Sequence, residues 1–223
     1  MAEITLLRHG QASFGSKNYD QLSDIGRQQS LWLGKHLREI NKQFDRVVLG
    51  TMVRHRETAE GVMAGLKAEA NFELHAGLNE YRFDGLLNPL RDQHPELWIE
   101  TDHARRDYFH NMKLALTYWM KGLIATDGQD SWESFCERVI AGFNFAYDTP
   151  AKKTLVVSSG GPIAVMLANV LELGADRTRD ISLQIKNCSI SNILYNRESF
   201  TLDSFNDISH LLASGRQSHI TFS

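Results

Sequence analysis

The sequence predicts an α/β fold. Helical layers would enclose a mostly parallel central sheet as a three-layer α/β/α sandwich, in a single domain over residues 1–223 with a helical cap inserted at about 86–130. Three observations predict it. Short apolar runs of strand length alternate with longer stretches of helical periodicity, the order in which parallel sheets are wound. The runs are continuously apolar, as strands buried on both faces require. The rhythm breaks between about Leu86 and Pro150, where the pattern turns mostly helical.

Taken in order, Ile4 to Leu7 is a buried strand ending in "RHG". "LSDIGRQQSLWLGKHLREI" follows as a helix, with Leu22, Ile25, Leu33, Leu37 and Ile40 at roughly helical spacing and Ser23 as N-cap. "FDRVVLG" reads as a second strand, "VRHRETAEGVMAGLKAEA" as a helix and "FELHAGL" as a weaker third strand. In "DSWESFCERVIAGFNFAYD", Trp132, Phe135, Val139 and Phe143 share a helical face, and Asp130 with Glu133 suggests a capping box. "KTLVVSS" is the clearest buried strand. "GGPIAVMLANVLEL" then starts a helix with Pro162 in its permitted first turn. "SISNILYN" and "SFTLDSFN" close the chain as a hairpin or edge pair.

Bulk composition narrows the function. The 223 residues are 42% hydrophobic and 23% charged, enough for a full core without disulfide or metal support. A net charge of −3 gives no case for nucleic-acid or membrane partners. Cys136 and Cys188 form neither a disulfide framework nor a zinc site, and no metal-ligand spacing occurs, so no cofactor or metal is expected. The N-terminus has no signal-peptide pattern and no apolar stretch reaches membrane length, so the expectation is a reduced, cytoplasmic setting.

In parallel sheets, ligands bind at the carboxyl ends of strands. Four such ends carry polar residues: "RHG", "LGTMVR", "LNEYRF" and "SSGGP". A histidine held at one ring nitrogen, His9, can act as a nucleophile. Arg8 and Arg54 offer planar forks for phosphate oxygens. Glu80 suits a general acid or base, and the amides of Gly160 and Gly161 open a helix toward an anion. Together they suit phosphoryl transfer, where positioning and charge neutralisation dominate. Gly10 would let a phosphate approach the backbone.

"LLRHGQA" resembles the signature of the histidine phosphatase superfamily, the phosphoglycerate-mutase-like enzymes. "YDQLSDIGRQQSLWLG", "GTMVRHRETAEGV", "GLNEYRFDGL", "TLVVSSGGPIAV" and "KNCSISNILY" extend the resemblance in order along nearly the whole chain, most weakly from Leu86 to Gln129. It implies a phosphoglycerate-mutase-like fold and a phosphohistidine on His9. It further implies phosphate held by Arg8 and Arg54, Glu80 as acid then base, and added phosphate contacts from Gln11 and Asn18. The family's last segment carries a second histidine where this chain has Ser159, beside Gly160. A serine can give one hydrogen bond but no positive charge. Three accounts follow. The chain is a phosphatase using Ser159 and the glycine amides, or a catalytically weak or inactive relative that binds a phosphorylated ligand, or another histidine fills the place. His55 follows Arg54, but on a helix it points about 100° away. His75, His94, His103 and His110 would need the cap to fold over the pocket.

The segments after "RHG" and after Glu80 do not resemble those of the mutases, so hydrolysis of a phosphomonoester is favoured over phosphoglycerate-mutase-type transfer. The substrate would be small and phosphorylated, or a phosphopeptide; the sequence leaves the oligomeric state open. Aromatic residues of the cap, Trp98, Tyr108, Phe109, Tyr118 and Trp119, with Arg105 and Arg106 among them, suit an apolar phosphate ester or ordinary helix packing. Trp119 and Leu116 have core spacing.

Overall fold

The computed structural model describes residues 1–13, 20–126, 128 and 130–222. Its elements are β1 (Ala2–Arg8), α1 (Asp24–Glu39), β2 (Arg46–Leu49), α2 (Val53–Leu66), β3 (Phe72–Leu74), α3 (Asp84–Gln93) and α4 (Ala104–Met120). Then come α5 (Trp132–Tyr147), β4 (Lys153–Ser158), α6 (Gly160–Leu171), α7 (Ala175–Ser182), β5 (Ile190–Tyr195) and β6 (Phe200–Asp207). The sheet order is β3-β2-β4-β1-β5-β6. The first four strands of that order run parallel, and β5 and β6 join antiparallel. The fold is therefore mixed α/β with a mostly parallel sheet, and the closing pair is a hairpin.

Strand alternation explains the layers, because successive side chains leave a strand on opposite faces. Leu7, Val47, Leu49, Leu155 and Val157 pack on one face against Leu33 and Leu37 of α1 and Ala59 and Val62 of α2. Ile4, Leu6, Val48, Val156 and Ile193 pack on the other face. Their partners include Phe135, Val139 and Phe143 of α5, and Ile163 and Met166 of α6. Both faces are covered, which is why these strands read as continuous apolar runs. Trp119 and Leu116 of α4 are buried in the second cluster, as their spacing predicted.

The helix starts are mostly where the sequence puts them. Ser23 accepts from the Gly26 amide at 3.1 Å and caps α1. The capping box expected at α5 is corrected: Ser131 is the N-cap, accepting from the Ser134 amide at 3.2 Å. Asp130 instead forms an ion pair with Arg138 at 2.6 Å. The Ser131 hydroxyl accepts from the third amide of the helix as an N-cap serine does, and Arg138 captures the Asp130 carboxylate. Among the described residues, no helix is long and apolar enough to cross a membrane.

Candidate active site

The parallel strands end together, and their ends build one site. His9 follows directly on β1, and its amide donates to the Ser158 carbonyl at 2.9 Å. Its own carbonyl accepts from Asn187 Nδ2 and from the Cys188 amide, both at 3.2 Å. The backbone at His9 is thus held on one side by β4 and on the other by the segment leading into β5. Its Nδ1 lies 2.7 Å from the Gly10 carbonyl. Arg54 Nε donates to its Nε2 at 3.2 Å. These two contacts fix the tautomer: Nδ1 carries the proton, and Nε2 carries the lone pair. Burial, then the charges of Arg54 and Arg8, hold the imidazole well below its usual range and keep it neutral.

At Gly10 a side chain would meet the Gly26 carbonyl at 2.5 Å, so its small size is required by the packing of the loop on α1. Its amide donates to Thr58 Oγ1, and Thr58 Oγ1 donates to the Arg54 carbonyl, at 3.0 and 2.7 Å. The loop after β1 is thereby tied to the first turn of α2.

Arg54 is buried in that first turn. Its guanidinium pairs with Asp20 at 2.8 Å, and the other Asp20 oxygen accepts from the Val53 amide at 2.8 Å. Asp20 thus caps α2, where Met52 offers no side-chain cap. Arg8 donates to the carbonyls of Ile185 and Phe222, the latter at 3.0 Å. Glu80 is buried beside α6, where Gly161 N donates to Oε2 at 3.0 Å. A side chain on Gly161 would meet Glu80 Oε1 at 2.3 Å, so only glycine lets the carboxyl reach this helix start. Burial raises the carboxyl above its ordinary range, against the Gly161 amide and the Arg54 and Arg8 charges.

Arg8, His9, Glu80, Gly160 and Gly161 share one cavity. Its walls are aromatic and apolar: Tyr81, Phe83, Tyr108, Phe109, Met112 and Leu183. Of the cap aromatics, Tyr108 and Phe109 face this cavity, while Trp119 belongs to the core.

Other expected residues are placed differently. Gln11 turns toward the start of α1, where its Oε1 accepts from Ser23 Oγ at 2.8 Å, and it does not line the cavity. Asn18 lies outside the described residues. His75, His94, His103 and His110 do not line the cavity. The expectation that His55 points away is corrected. Its ring centroid is 5.7 Å from that of His9, and Nε2 lies 2.8 Å from Ser159 Oγ. The first turn of α2 sits over the strand ends, so Arg54 and His55 both reach the site from adjacent positions despite their angular offset. Asp20, unassigned by sequence reasoning, joins as the carboxylate on Arg54. Among the described residues, no group of three or more His, Cys, Asp or Glu is placed to hold a metal ion.

Comparison with known proteins bears on the fold and the family. Serine/threonine-protein phosphatase Pgam5, mitochondrial, from Drosophila yakuba is 37% identical over 68 residues, which cover 30% of this chain and 24% of that protein. The chain therefore aligns with about a quarter of the curated relative's length. The alpha-ribazole phosphatase from Shigella flexneri superposes with a TM-score of 0.68 at 18% identity, covering 92% of this chain and 96% of that one. Phosphoglycerate mutase from Bacillus anthracis str. Sterne gives 0.64 at 18% identity, covering 94% of each chain. At such identities these structures establish a phosphoglycerate-mutase-like fold. The family description "Histidine phosphatase superfamily (branch 1)" matches residues 4–208. With that match over nearly its whole length, the chain belongs to the histidine phosphatase superfamily.

Proposed function

We propose that this chain hydrolyses a small phosphomonoester through a phosphohistidine on His9. The observation that carries the reading is the state of His9: Nδ1 is committed to the Gly10 carbonyl, leaving the Nε2 lone pair beside Arg54. In the first step Nε2 attacks phosphorus as the ester P–O bond breaks. Glu80, whose carboxyl burial raises above its ordinary range, gives its proton to the leaving oxygen. Arg8, Arg54 and the Gly160 amide neutralise the equatorial oxygens; for Arg54 this means turning from Nε2 toward the anion. In the second step the Glu80 carboxylate takes a proton from water. The resulting hydroxide attacks phosphorus, the P–N bond breaks, and phosphate leaves with His9 and Glu80 restored.

No step calls for a metal, because the arginines supply the positive charge; activity is therefore expected to withstand a chelator. The aromatic walls favour an apolar or aryl phosphate over a highly charged metabolite. The test is turnover of an aryl phosphate by wild type and by His9→Ala. The reading predicts hydrolysis that the variant abolishes, and equal rates in the two would sink it. Phosphate binding without turnover would identify a binding relative, and isomerisation of phosphoglycerate would identify a mutase.

A further inference from the structure

Ser159 stands at a position that a second histidine was expected to fill, and its surroundings are unusual for a serine. It is the N-cap of α6, yet its hydroxyl caps no amide of that helix. N-cap serines ordinarily do so. Ser159 Oγ instead lies 2.8 Å from His55 Nε2, with both residues fully buried. In the parallel register Arg8 faces Ser158. His9 and Ser159 are therefore the next pair along, at adjacent strand ends. The His55 ring completes the cluster, 5.7 Å from the His9 ring and tilted by 37°. Three side chains, from the ends of β1 and β4 and from α2, thus cluster at the floor of the site, where His9 lines the cavity and His55 and Ser159 lie buried behind it.

We propose that His55 and Ser159 act as one unit, in which the imidazole orients and polarises the serine hydroxyl so that it donates to a phosphate seated on His9. The inference rests on His9 being the phosphate-accepting residue. A hydroxyl has one proton and can also accept. With the ring proton on Nε2, Oγ accepts from His55 and its own O–H is left for the anion. His55 Nδ1 lies against the Gly50 backbone, where a side chain on Gly50 would meet it at 2.2 Å, so the ring is held in place from that side. In the empty site, burial first and the Arg54 charge second keep this imidazole neutral. Among the described residues, the buried cations of the site are then Arg8 and Arg54. Ser159 is the group that touches phosphate; His55 is a positioning residue that works through it.

The experiment measures kcat on an aryl phosphate and the affinity for inorganic phosphate. The proteins are wild type, Ser159→Ala, His55→Ala, His55→Gln and the double variant His55→Ala/Ser159→Ala. Each alanine variant is expected to lose about a hundredfold in kcat. The double variant should be no worse than the poorer single by more than about threefold, because one unit is lost once. His55→Gln, which keeps a polar group in reach of the hydroxyl, should recover much of the loss. A reciprocal variant, His55→Ala with Ser159→His, should exceed His55→Ala alone, a gain that a merely space-filling His55 does not predict. Losses that multiply in the double variant, single variants near wild type, or a glutamine no better than alanine would each overturn the proposal. Phosphate affinity separates the two readings. A protein without turnover whose phosphate binding shows the same coupling keeps this inference and loses the phosphatase. A protein that neither binds nor turns over phosphate loses both.

Discussion

At Glu80 and His9 the same force acts in opposite directions. Burial disfavours charge, so it raises the carboxyl and depresses the imidazole. At one pH, therefore, the acid holds its proton and the nucleophile has lost its own, the pairing the first step needs. The sign follows directly. As pH falls, activity survives well below the ordinary histidine range before His9 protonates; as pH rises, it is lost when Glu80 ionises. An acidic optimum for phosphoryl transfer is expected, with an alkaline limb that Glu80→Gln removes. That variant should lose roughly 100- to 10,000-fold on an alkyl phosphate, whose leaving oxygen needs a proton. It should lose far less on an aryl phosphate with an acidic phenol. Equal losses on both esters would deny Glu80 its acid role. His9, Arg54 and Glu80 could be picked out of the sequence because each follows a strand end. His55 could not, because a helical wheel describes direction around an axis and not where a helix end sits. Asp20 was hidden for another reason: an ion pair between residues 20 and 54 leaves no local pattern.

At the scale of elements, the first turn of α2 organises the site. It presents Arg54 and His55, and it is capped from outside by Asp20. Removing that carboxylate loses both a cap and the anchor of a buried guanidinium. Asp20→Ala should cost about 1 kcal/mol of stability from the cap. It should also lower kcat on any substrate by about tenfold or more, as a loosened Arg54 no longer meets the transition state. A stability loss without a kinetic one, measured by denaturant unfolding beside turnover, would confine Asp20 to capping. Helix α4 makes the opposite kind of contribution, an apolar wall through Tyr108 and Phe109. Phe109→Ala should raise KM for an aryl phosphate about tenfold or more, in line with roughly 1–3 kcal/mol for an apolar contact. The KM for a short alkyl phosphate should barely change, and an equal rise in both would contradict a substrate-facing wall. The strands and their order were legible because burial on both faces leaves unbroken apolar runs. The cap aromatics were not separable into core and cavity, since helical spacing is the same for a residue that packs inward and one that faces a ligand. The cap of α5 was misread for a related reason: Asp130 has the right chemistry for a cap, but Arg138 lies about two turns further along and takes it.

Across the whole molecule, the chain folds with three buried histidines, His9, His55 and His210. All are held below the ordinary value, and His210 is pulled down to about 4, by burial first and by nearby His36 and Arg216. The unfolded chain binds these protons near pH 6.5, whereas the folded chain resists them. Stability is therefore full above that pH and falls as the solution is acidified toward pH 4. His210 alone accounts for roughly 3 kcal/mol of that loss. Unfolding midpoints should drop across this window, and His210→Gln should flatten the drop. A flat profile for wild type would contradict the burial of these rings as neutral groups.

All of the chemistry converges on Nε2 of His9, the nitrogen that the Gly10 carbonyl and Arg54 leave as the lone pair. The most direct measurement is rapid quenching of wild type with an aryl phosphate at alkaline pH, where phosphohistidine survives, followed by peptide mass spectrometry. The account predicts an acid-labile phosphoryl group on His9, formed as phenol is released and before phosphate appears, and absent from His9→Ala. Turnover with no phosphoryl group on His9, or a phosphoryl group on another residue, would contradict it.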